Sequence, residues 1–259
     1  MSERPCCSGG WYHKDVPVGH PDFNRLFLCD CPKGQAIRQK RLEKTLGSSL
    51  MPLDQQAMTF DNFYVSRGVK LEPPEPWDKS PEAERLRTRW RTVQQVRGGM
   101  AGNLRRIKEA SQTFAQDPQF FFTLLGEPGC GKTHLAAAIA NTCLQRGLTV
   151  CFAVVPDLLD ALRATFEKKS PVSYEDLVQA YLTVDLLIMD DMGTQYETEW
   201  AREKIYQIVN HRYNQRQAMV VTTNNIPAYL DPRLRSRLFD ARNHKMEILA
   251  GDYRLRRAT

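Results

Sequence analysis

The 259-residue sequence has no long hydrophobic run, and this absence limits the classes of protein it can belong to. No stretch approaches the roughly 18 to 20 apolar residues that a membrane-spanning helix needs. The N-terminal residues MSERPCCSGGWYHKD are polar and lack the apolar core of a secretory signal. Internal repeats and low-complexity tracts are missing as well. We therefore expect a globular, cytoplasmic protein that has no membrane partner.

Acidic residues are missing from one segment of the chain. Residues 85–108 contain eight arginines and lysines and no acid, whereas residues 233–257 contain eight basic residues and three acids. The whole chain has a net charge of +6 and a pI of about 8.9. Such segments form either solvated helix faces or surfaces that meet nucleotides or nucleic acid, and the sequence leaves both readings open.

Cysteine is scarce beyond the N-terminal region. Cys130, Cys143 and Cys151 stand in apolar sequence, where cysteine typically serves as a small buried hydrophobic residue. The other four of the seven cysteines fall within the first 31 residues. In a cytosolic chain, a cluster of this kind indicates a metal site more than disulfides.

A Cys-rich segment this short cannot build a hydrophobic core, so a bound Zn²⁺ ion would give it a reason to fold. Two thiolate clusters brought together by a hairpin make a tetrahedral site. We expect Cys7, Cys29 and Cys31 as ligands, with Cys6 or His20 as the fourth and His13 less suited. Free thiols in a flexible tail are the alternative.

From residue 120 onward, short apolar stretches alternate with helical patterns. The stretches FFFTLLG, TVCFAVV, DLLIMDDMG and AMVVTTNN predict buried strands separated by helices. This order predicts an α/β fold with a parallel sheet flanked by helices. We expect a Cys-rich module with a basic helix at residues 1–47, a Pro-rich linker at 48–84 and the core domain at 85–259. A helix that starts near residues 78–84 should continue through the Arg-rich segment.

A phosphate-binding motif lies between the first predicted core strand and the helix that follows it. The pattern G-x-x-x-x-G-K-[ST] is matched by Gly126, Glu127, Pro128, Gly129, Cys130, Gly131, Lys132 and Thr133. The glycines let backbone N–H groups turn toward the phosphates, and the helix N-terminus adds a positive dipole end. We expect Lys132 to reach the β and γ phosphates of ATP and Thr133 to ligate Mg²⁺.

Polar side chains end two further predicted strands. Asp190 and Asp191 follow the apolar stretch LLIM, and Asn224 follows the stretch MVVTT. We expect Asp190 to hold the Mg²⁺ shell and Asp191 to activate the attacking water. Asn224 should orient that water near the γ phosphate. Because aspartate is one methylene shorter than the glutamate usual at the second position, we expect slow hydrolysis.

Arginines cluster shortly after Asn224. The segment DPRLRSRLFD contains Arg233, Arg235 and Arg237. An arginine that projects into the site of a neighbouring subunit can stabilise the charge of the transition state. Without the other motifs, this cluster would be interpreted as a basic helix face.

Taken in order along the chain, these motifs resemble those of the AAA+ ATPases. The SRL box resembles the arginine-finger motif of that superfamily and points to Arg237, and the terminal GDYRLRR resembles the second sensor motif, with Arg254 as its arginine. Since only five residues follow Arg254, the resemblance predicts no C-terminal helical lid. Within the superfamily, the chain is similar to the bacterial replicative-helicase loaders of the DnaC/DnaI type and to the related IstB transposition ATPases.

The stretch MTFDNFYV resembles a segment that these proteins place before the core, near the adenine of ATP. The resemblance therefore places Phe60 and Phe63, together with His134 beside the phosphate motif, in the nucleotide site. The N-terminal cysteines resemble the zinc modules that precede some of these ATPases. Those modules usually begin with a spaced C-x-x-C, whereas the first two cysteines here are adjacent, which makes Cys6 the less certain ligand.

The resemblance also implies a surface for single-stranded DNA. Phe166, Lys168 and Lys169 would stack a base and neutralise phosphates, and Thr198 and Trp200 would face the same strand. On spacing alone, Phe166 and Trp200 would more often be core residues.

The implied function is ATP-dependent loading of a hexameric replicative helicase onto single-stranded DNA, in the nucleoid. ATP would act as a switch, subunits would associate through Arg237, and residues 1–47 would dock the helicase. The alternative is an IstB-like regulator of transposition that binds duplex DNA and a transposase. A metabolic P-loop kinase is the third and weakest reading, because the motifs at Asn224 and Arg237 would then have no role.

Overall fold

The structure is a computed structural model that describes residues 9–20, 23, 26–29, 31–34, 36–37, 40, 51–65, 75–167, 172–193, 198–224 and 230–255. The strands are β1 Trp11–His13, β2 Leu26–Leu28, β3 Phe121–Gly126, β4 Val150–Val154, β5 Leu186–Asp190, β6 Ala218–Thr223 and β7 His244–Ile248. The helices are α1 Leu53–Gln56, α2 Pro81–Gln95, α3 Gly99–Gln116, α4 Lys132–Gln145, α5 Val155–Ala164, α6 Tyr174–Thr183, α7 Glu199–Asn214 and α8 Pro232–Leu238.

The core is a parallel sheet of five strands in the order β4-β5-β6-β3-β7. Every residue of β3, β5 and β6 is buried, which explains why these strands read as continuous apolar runs. One cluster of buried side chains includes residues of α5, α6 and α7, and a second includes residues of α3 and α4. The predicted α/β architecture is therefore confirmed.

The order of the strands in the sheet decides which residues meet at its carboxyl edge. Strand β3 lies between β6 and β7, and β5 lies between β4 and β6. The motifs that end β3, β5 and β6 are far apart in sequence but share this edge. Ligands of parallel α/β sheets bind at that edge, where the strands end and the following helices begin.

The Arg-rich segment is not one helix, as the sequence suggested, but two. Helix α2 begins at Pro81, and the Ser80 side chain caps it by accepting a 3.1 Å hydrogen bond from the Ala83 amide. The chain then breaks at Gly98 and Gly99, whose φ angles are +78° and +57°. Glycine adopts these left-handed values without a Cβ penalty. The predicted domain boundary at residue 85 falls inside α2.

The N-terminal region contains a short antiparallel hairpin of β1 and β2, in which Trp11 is paired with Leu28. Strand β7 was not predicted, because its HKMEI sequence lacks the apolar run of the other core strands. Within the part of the chain that the structure describes, no helix combines the length and the apolar character needed to cross a membrane.

Candidate nucleotide-binding site

A cavity of about 720 Å³ opens at the carboxyl edge of the sheet. Its walls come mainly from the loop between β3 and α4 with the start of α4, the ends of β5 and β6, the segment after β7, and residues 54–64 before the core. Leu104 of α3 and Val154 of β4 add to them. Polar and charged groups face it from the sheet, whereas Met58, Phe63 and Leu104 are among the apolar lining residues. A cavity with one polar and one apolar wall suits a ligand with a charged and a flat apolar part.

The phosphate loop, residues 126–133, links buried strand β3 to helix α4. Gly129 and Gly131 have φ angles of +70° and +102°, which side chains rarely tolerate. A Cβ atom on Gly129 would lie 1.7 Å from Asp252 Oδ1, and one on Gly131 would lie 2.9 Å from Phe63 Cε2. Both glycines are therefore required by conformation and by close neighbours. The loop ends at the first turn of α4, whose free amides form an anion site.

Lys132, near the end of the phosphate loop, binds the loop backbone through its side chain. Its side chain is buried, and Nζ donates to the carbonyl oxygens of Gly126 at 3.0 Å and Glu127 at 2.8 Å. Burial disfavours the ammonium form and lowers the pKa of Lys132. A phosphate oxygen would be a stronger acceptor than these carbonyls, since both partners would be charged.

Asp190, at the end of β5, meets the first turn of α4. The Thr133 hydroxyl donates to both Asp190 carboxylate oxygens at 3.1 Å. Burial raises the pKa of Asp190, while hydrogen bonds from Thr222 and Thr133 oppose that rise. Mg²⁺ prefers hard oxygen ligands and keeps several waters, so this hydroxyl and this carboxylate fit it well. When bound with ATP, Mg²⁺ would neutralise phosphate charge.

Asp191 and Asn224 lie side by side on the cavity wall. Asn224 Nδ2 donates to Asp191 Oδ1 at 3.3 Å. Asp191 has a φ angle of +55°, a left-handed value that turns the chain sharply at the end of β5. The structure therefore brings together the two groups that the sequence assigned to the attacking water, and their roles remain predictions.

Thr222 is a site residue that the sequence reasoning missed. Its side chain is buried in β6 and donates to Asp190 Oδ1 at 2.6 Å. The same hydroxyl accepts a 2.9 Å hydrogen bond from the Asp191 amide. One oxygen thus fixes both acidic residues relative to β6. The signal was present as a polar pair, TT, at the end of an otherwise apolar strand.

We expect Thr222→Val to slow ATP hydrolysis about tenfold while changing ATP affinity less than about threefold. Valine has the same shape but removes the hydroxyl, and a hydrogen bond to a charged group is worth about 1.5 kcal/mol. Steady-state hydrolysis and nucleotide titration would measure the two effects. Thr222→Ser, which keeps the hydroxyl, is the matched control; equal loss in both variants would contradict this role.

The apolar wall of the cavity comes from the segment before the core. Phe63 lines the cavity and contacts the ring of His134 edge to face at 5.3 Å. His134 Nε2 lies 2.9 Å from the Thr59 carbonyl oxygen, and burial lowers the pKa of His134. Asn141 donates to the Met58 carbonyl at 2.7 Å, which also fastens this segment to α4.

Phe60 differs from the prediction. It is buried in the core cluster that includes residues of α3 and α4, and it is absent from the described lining of the cavity. Phe63 belongs to the same core cluster but also lines the cavity. Asn62 and Tyr64 line the cavity instead, and the sequence reasoning named neither of them.

The two predicted arginines occupy different places. Arg254 lines the cavity, in the segment that follows β7. Arg237 lies on α8, where Nε donates to Asn210 Oδ1 at 2.7 Å and the guanidinium stands 4.8 Å from the centre of the Tyr206 ring. Arg237 is not among the described residues that line the cavity. Its role as an arginine finger for a neighbouring subunit stays a prediction.

The residues predicted to contact DNA lie near the ends of α5 and α7. Phe166 is 65% exposed, and its ring stacks on Tyr174 with centroids 5.6 Å apart. Trp200 is half-buried against the core, with the Arg163 guanidinium 5.1 Å from its ring centre. The Thr198 hydroxyl caps α7 by accepting a 3.2 Å hydrogen bond from the Ala201 amide. Lys168 and Lys169 lie outside the described residues.

Three of the predicted zinc ligands lie in the described residues, and Cys6 and Cys7 lie outside them. Cys29 and Cys31 are half-buried, and the Gly34 amide is 3.5 Å from Cys31 Sγ. No group of three or more potential ligands occurs among the residues described. Zinc binding therefore stays a prediction.

Comparison with known proteins agrees with the geometry. The family model described as IstB-like ATP binding protein matches residues 100–258. The replicative helicase loader DnaC of Escherichia coli (strain K12) is 37% identical over 119 residues, which are 46% of this chain and 48% of that protein. The chain thus spans about half the length of the curated relatives it matches.

Solved structures extend the likeness in fold. A crystal structure of DnaI has a TM-score of 0.51 and 18% identity, covering 78% of this chain and 94% of its own. AMPPCP-bound DnaA from Aquifex aeolicus has a TM-score of 0.51 and 24% identity, covering 56% of this chain and 46% of its own. Both confirm the AAA+ fold that the order of motifs predicted. With the phosphate loop in place and the family model covering more than half of the sequence, the chain belongs to the IstB-like ATP-binding proteins.

Proposed function

We propose that this protein loads a hexameric replicative DNA helicase onto single-stranded DNA and uses ATP as the switch. The observation that carries the proposal is the cavity in which Lys132, Thr133 and Asp190 meet at one sheet edge. The similarity to DnaC, over about half of each chain, supports the choice of partner.

ATP would bind with its phosphates on the phosphate loop and its base toward Phe63. Mg²⁺ would be held by Thr133 and Asp190, and Asp191 would draw the proton from the attacking water while Asn224 orients it. Asp191 is tied to Thr222 through its amide, so its shorter side chain reaches into the cavity from a fixed backbone. Hydrolysis would be slow, as suits a switch, and would be stimulated by DNA.

Subunits would associate so that Arg237 of one copy reaches the cavity of the next. Tyr206 and Asn210, one turn apart on α7, hold Arg237 at the surface through a cation–π contact and a hydrogen bond. Arg254 would contact the phosphates from within the same subunit. The ATP-bound form would therefore be oligomeric, and release of the helicase would follow hydrolysis.

Single-stranded DNA would lie along the surface that carries Phe166 and Trp200. Arg163 lies over the Trp200 ring, and Lys204 lies over the ring of Tyr174, on which Phe166 stacks. This combination of aromatic rings and cations matches what single strands require. Thr198 would contribute through the start of α7, since its hydroxyl already serves as the helix cap. Lys168 and Lys169 would add phosphate contacts.

Residues 1–47 would form the helicase-docking module, with Zn²⁺ held by four of the five candidate ligands. The β1–β2 hairpin, whose second strand is followed directly by Cys29, supports this arrangement. The test is size-exclusion chromatography with the cognate helicase, with and without ATP. Co-elution that is lost on deletion of residues 1–47 would support the loader; no association under any nucleotide condition would contradict it.

An IstB-like transposition regulator is the second candidate, and the family model is the observation that favours it. Such a protein would bind duplex DNA and a transposase. The two functions differ in the DNA that stimulates hydrolysis. Stimulation by single strands supports the loader, and stimulation by duplex DNA alone supports the regulator.

We expect Phe166→Ala to weaken single-stranded DNA binding about tenfold, because one stacked base contributes about 1–3 kcal/mol. Fluorescence anisotropy with a labelled oligonucleotide would measure it. Trp77→Ala is the matched control, since Trp77 is 77% exposed and stands before α2. Equal binding by the Phe166 variant and the wild type would place the strand elsewhere.

A further inference from the structure

Arg89, on helix α2, connects the region before the core with the phosphate loop. Its guanidinium forms an ion pair with Glu127, the second residue of that loop. The same group lies 3.0 Å from Glu247 Oε1 and donates to the Ile248 carbonyl at 3.2 Å. The Arg89 side chain is only 14% exposed, but the Glu127 and Glu247 side chains are 37% and 47% exposed, so these ion pairs are partly shielded from solvent.

The groups that Arg89 joins are close in sequence to residues that line the nucleotide cavity: Glu127 precedes Pro128, and Ile248 stands two residues before Ala250. The Glu127 carbonyl accepts a hydrogen bond from Lys132 Nζ at 2.8 Å. Lys132 therefore binds the backbone of Glu127, and Arg89 binds its carboxylate. Glu247 and Ile248 end β7, and the chain that follows returns to the loop, where the Tyr253 amide donates to the Gly129 carbonyl at 3.0 Å. Arg89 thus ties the loop to the strand behind it.

We propose that Arg89 is a positioning residue that holds the phosphate loop in place and neutralises Glu127, so that ATP affinity depends on the position of α2. The inference rests on the proposed binding of ATP in this cavity.

Charge and geometry both support this assignment. ATP brings several negative charges to a loop that already contains the Glu127 carboxylate, and like charges at short range repel. Arg89 compensates that carboxylate from the side of α2. The planar guanidinium presents several donors in a fixed fork, which matches its three acceptors here, whereas a lysine offers a single point charge.

ATP binding at the phosphate loop and the position of α2 would therefore influence each other. A displacement of α2, for example by a partner bound to the preceding residues, would loosen Glu127 and weaken ATP binding. By thermodynamic reciprocity, ATP would favour the docked position of α2 by the same factor.

The test is ATP titration of full-length variants with a fluorescent analogue. We expect Arg89→Met to bind ATP about tenfold more weakly. The expected loss is no larger because the ion pair between Arg89 and Glu127 is partly exposed to solvent. Adding Glu127→Gln to that variant should restore most of the affinity, because the uncompensated carboxylate is gone. Glu247→Gln is the matched control: it removes another ion pair of the same guanidinium without touching the loop, and should change affinity less than about twofold.

Wild-type affinity in Arg89→Met, no recovery in the double variant, or an equal loss in Glu247→Gln would overturn the proposal. Should Arg89→Met fail to fold, Arg89→Lys provides the test, with about threefold weaker binding expected and wild-type affinity overturning the inference. Lys132→Ala in the same titration separates the two claims. If Lys132→Ala binds ATP as tightly as the wild type, the assignment of the nucleotide site is wrong. If Lys132→Ala loses ATP binding but the Arg89 variants bind ATP with wild-type affinity, only the role of Arg89 is wrong.

Discussion

Lys132→Ala should lower ATP affinity at least about 100-fold. The buried ammonium of Lys132 sits within the phosphate loop and is the group placed to meet the terminal phosphates. Two charge-assisted hydrogen bonds at about 1.5 kcal/mol each account for a loss of this size. Isothermal titration or a fluorescent ATP analogue would measure it.

Lys245→Ala is the matched control for that loss. Lys245 is an exposed lysine on β7, and its Nζ lies 5.1 Å from the Phe239 ring centre. Its substitution by alanine removes one positive charge outside the nucleotide site. Melting of both variants without nucleotide would show that the fold survives. If Lys132→Ala binds ATP as tightly as the wild type, the nucleotide site lies elsewhere.

Arg237→Ala should retain ATP binding and lose about 1000-fold in stimulated hydrolysis, the range typical of arginine fingers. Since Arg237 lies on α8 and does not line the cavity of its own chain, we expect its effect to arise between subunits. An equimolar mixture of Arg237→Ala and Lys132→Ala proteins should therefore recover part of the activity, because one interface in the mixture then contains both an intact site and an intact arginine.

Arg235→Ala tests whether the arginine finger is Arg237 or the nearby Arg235. Arg235 lies on the same short helix but makes no described contact with Tyr206, whereas Arg237 does. We expect near wild-type hydrolysis from Arg235→Ala. The reverse pattern would identify Arg235 as the finger, and a mixture that stays inactive would contradict the arrangement between subunits.

Local sequence was enough to predict the parts of the site that are contiguous. The phosphate loop needs specific residues at adjacent positions, and the strand before it and the helix after it follow from apolar runs and periodicity. The same holds for Asp190 and Asp191, which end a buried strand. Local sequence did not distinguish Phe60 from Phe63: both belong to one core cluster, but only Phe63 also lines the cavity.

Contacts between distant segments could not be predicted in this way. The Thr222 hydroxyl meets Asp190 across 32 positions, and Arg89 meets Glu127 across 38 and Glu247 across 158. No periodicity records such pairs, since they depend on which strands become neighbours. The sequence left open whether the arginines of residues 85–108 form solvated helix faces or a surface for nucleotides or nucleic acid. Only the structure shows that Arg89 pairs with Glu127 and Glu247.

The sequence by itself determined the fold class, the phosphate loop and the acidic residues that follow it, because each depends on residue types at short, regular spacing. Only the tertiary structure decided how the loop is held, which side chains fix the acids and where Arg237 stands relative to its own cavity. The physical reason is the strand order: placing β3 between β6 and β7 brings groups from separate motifs to one edge and closes their hydrogen bonds there.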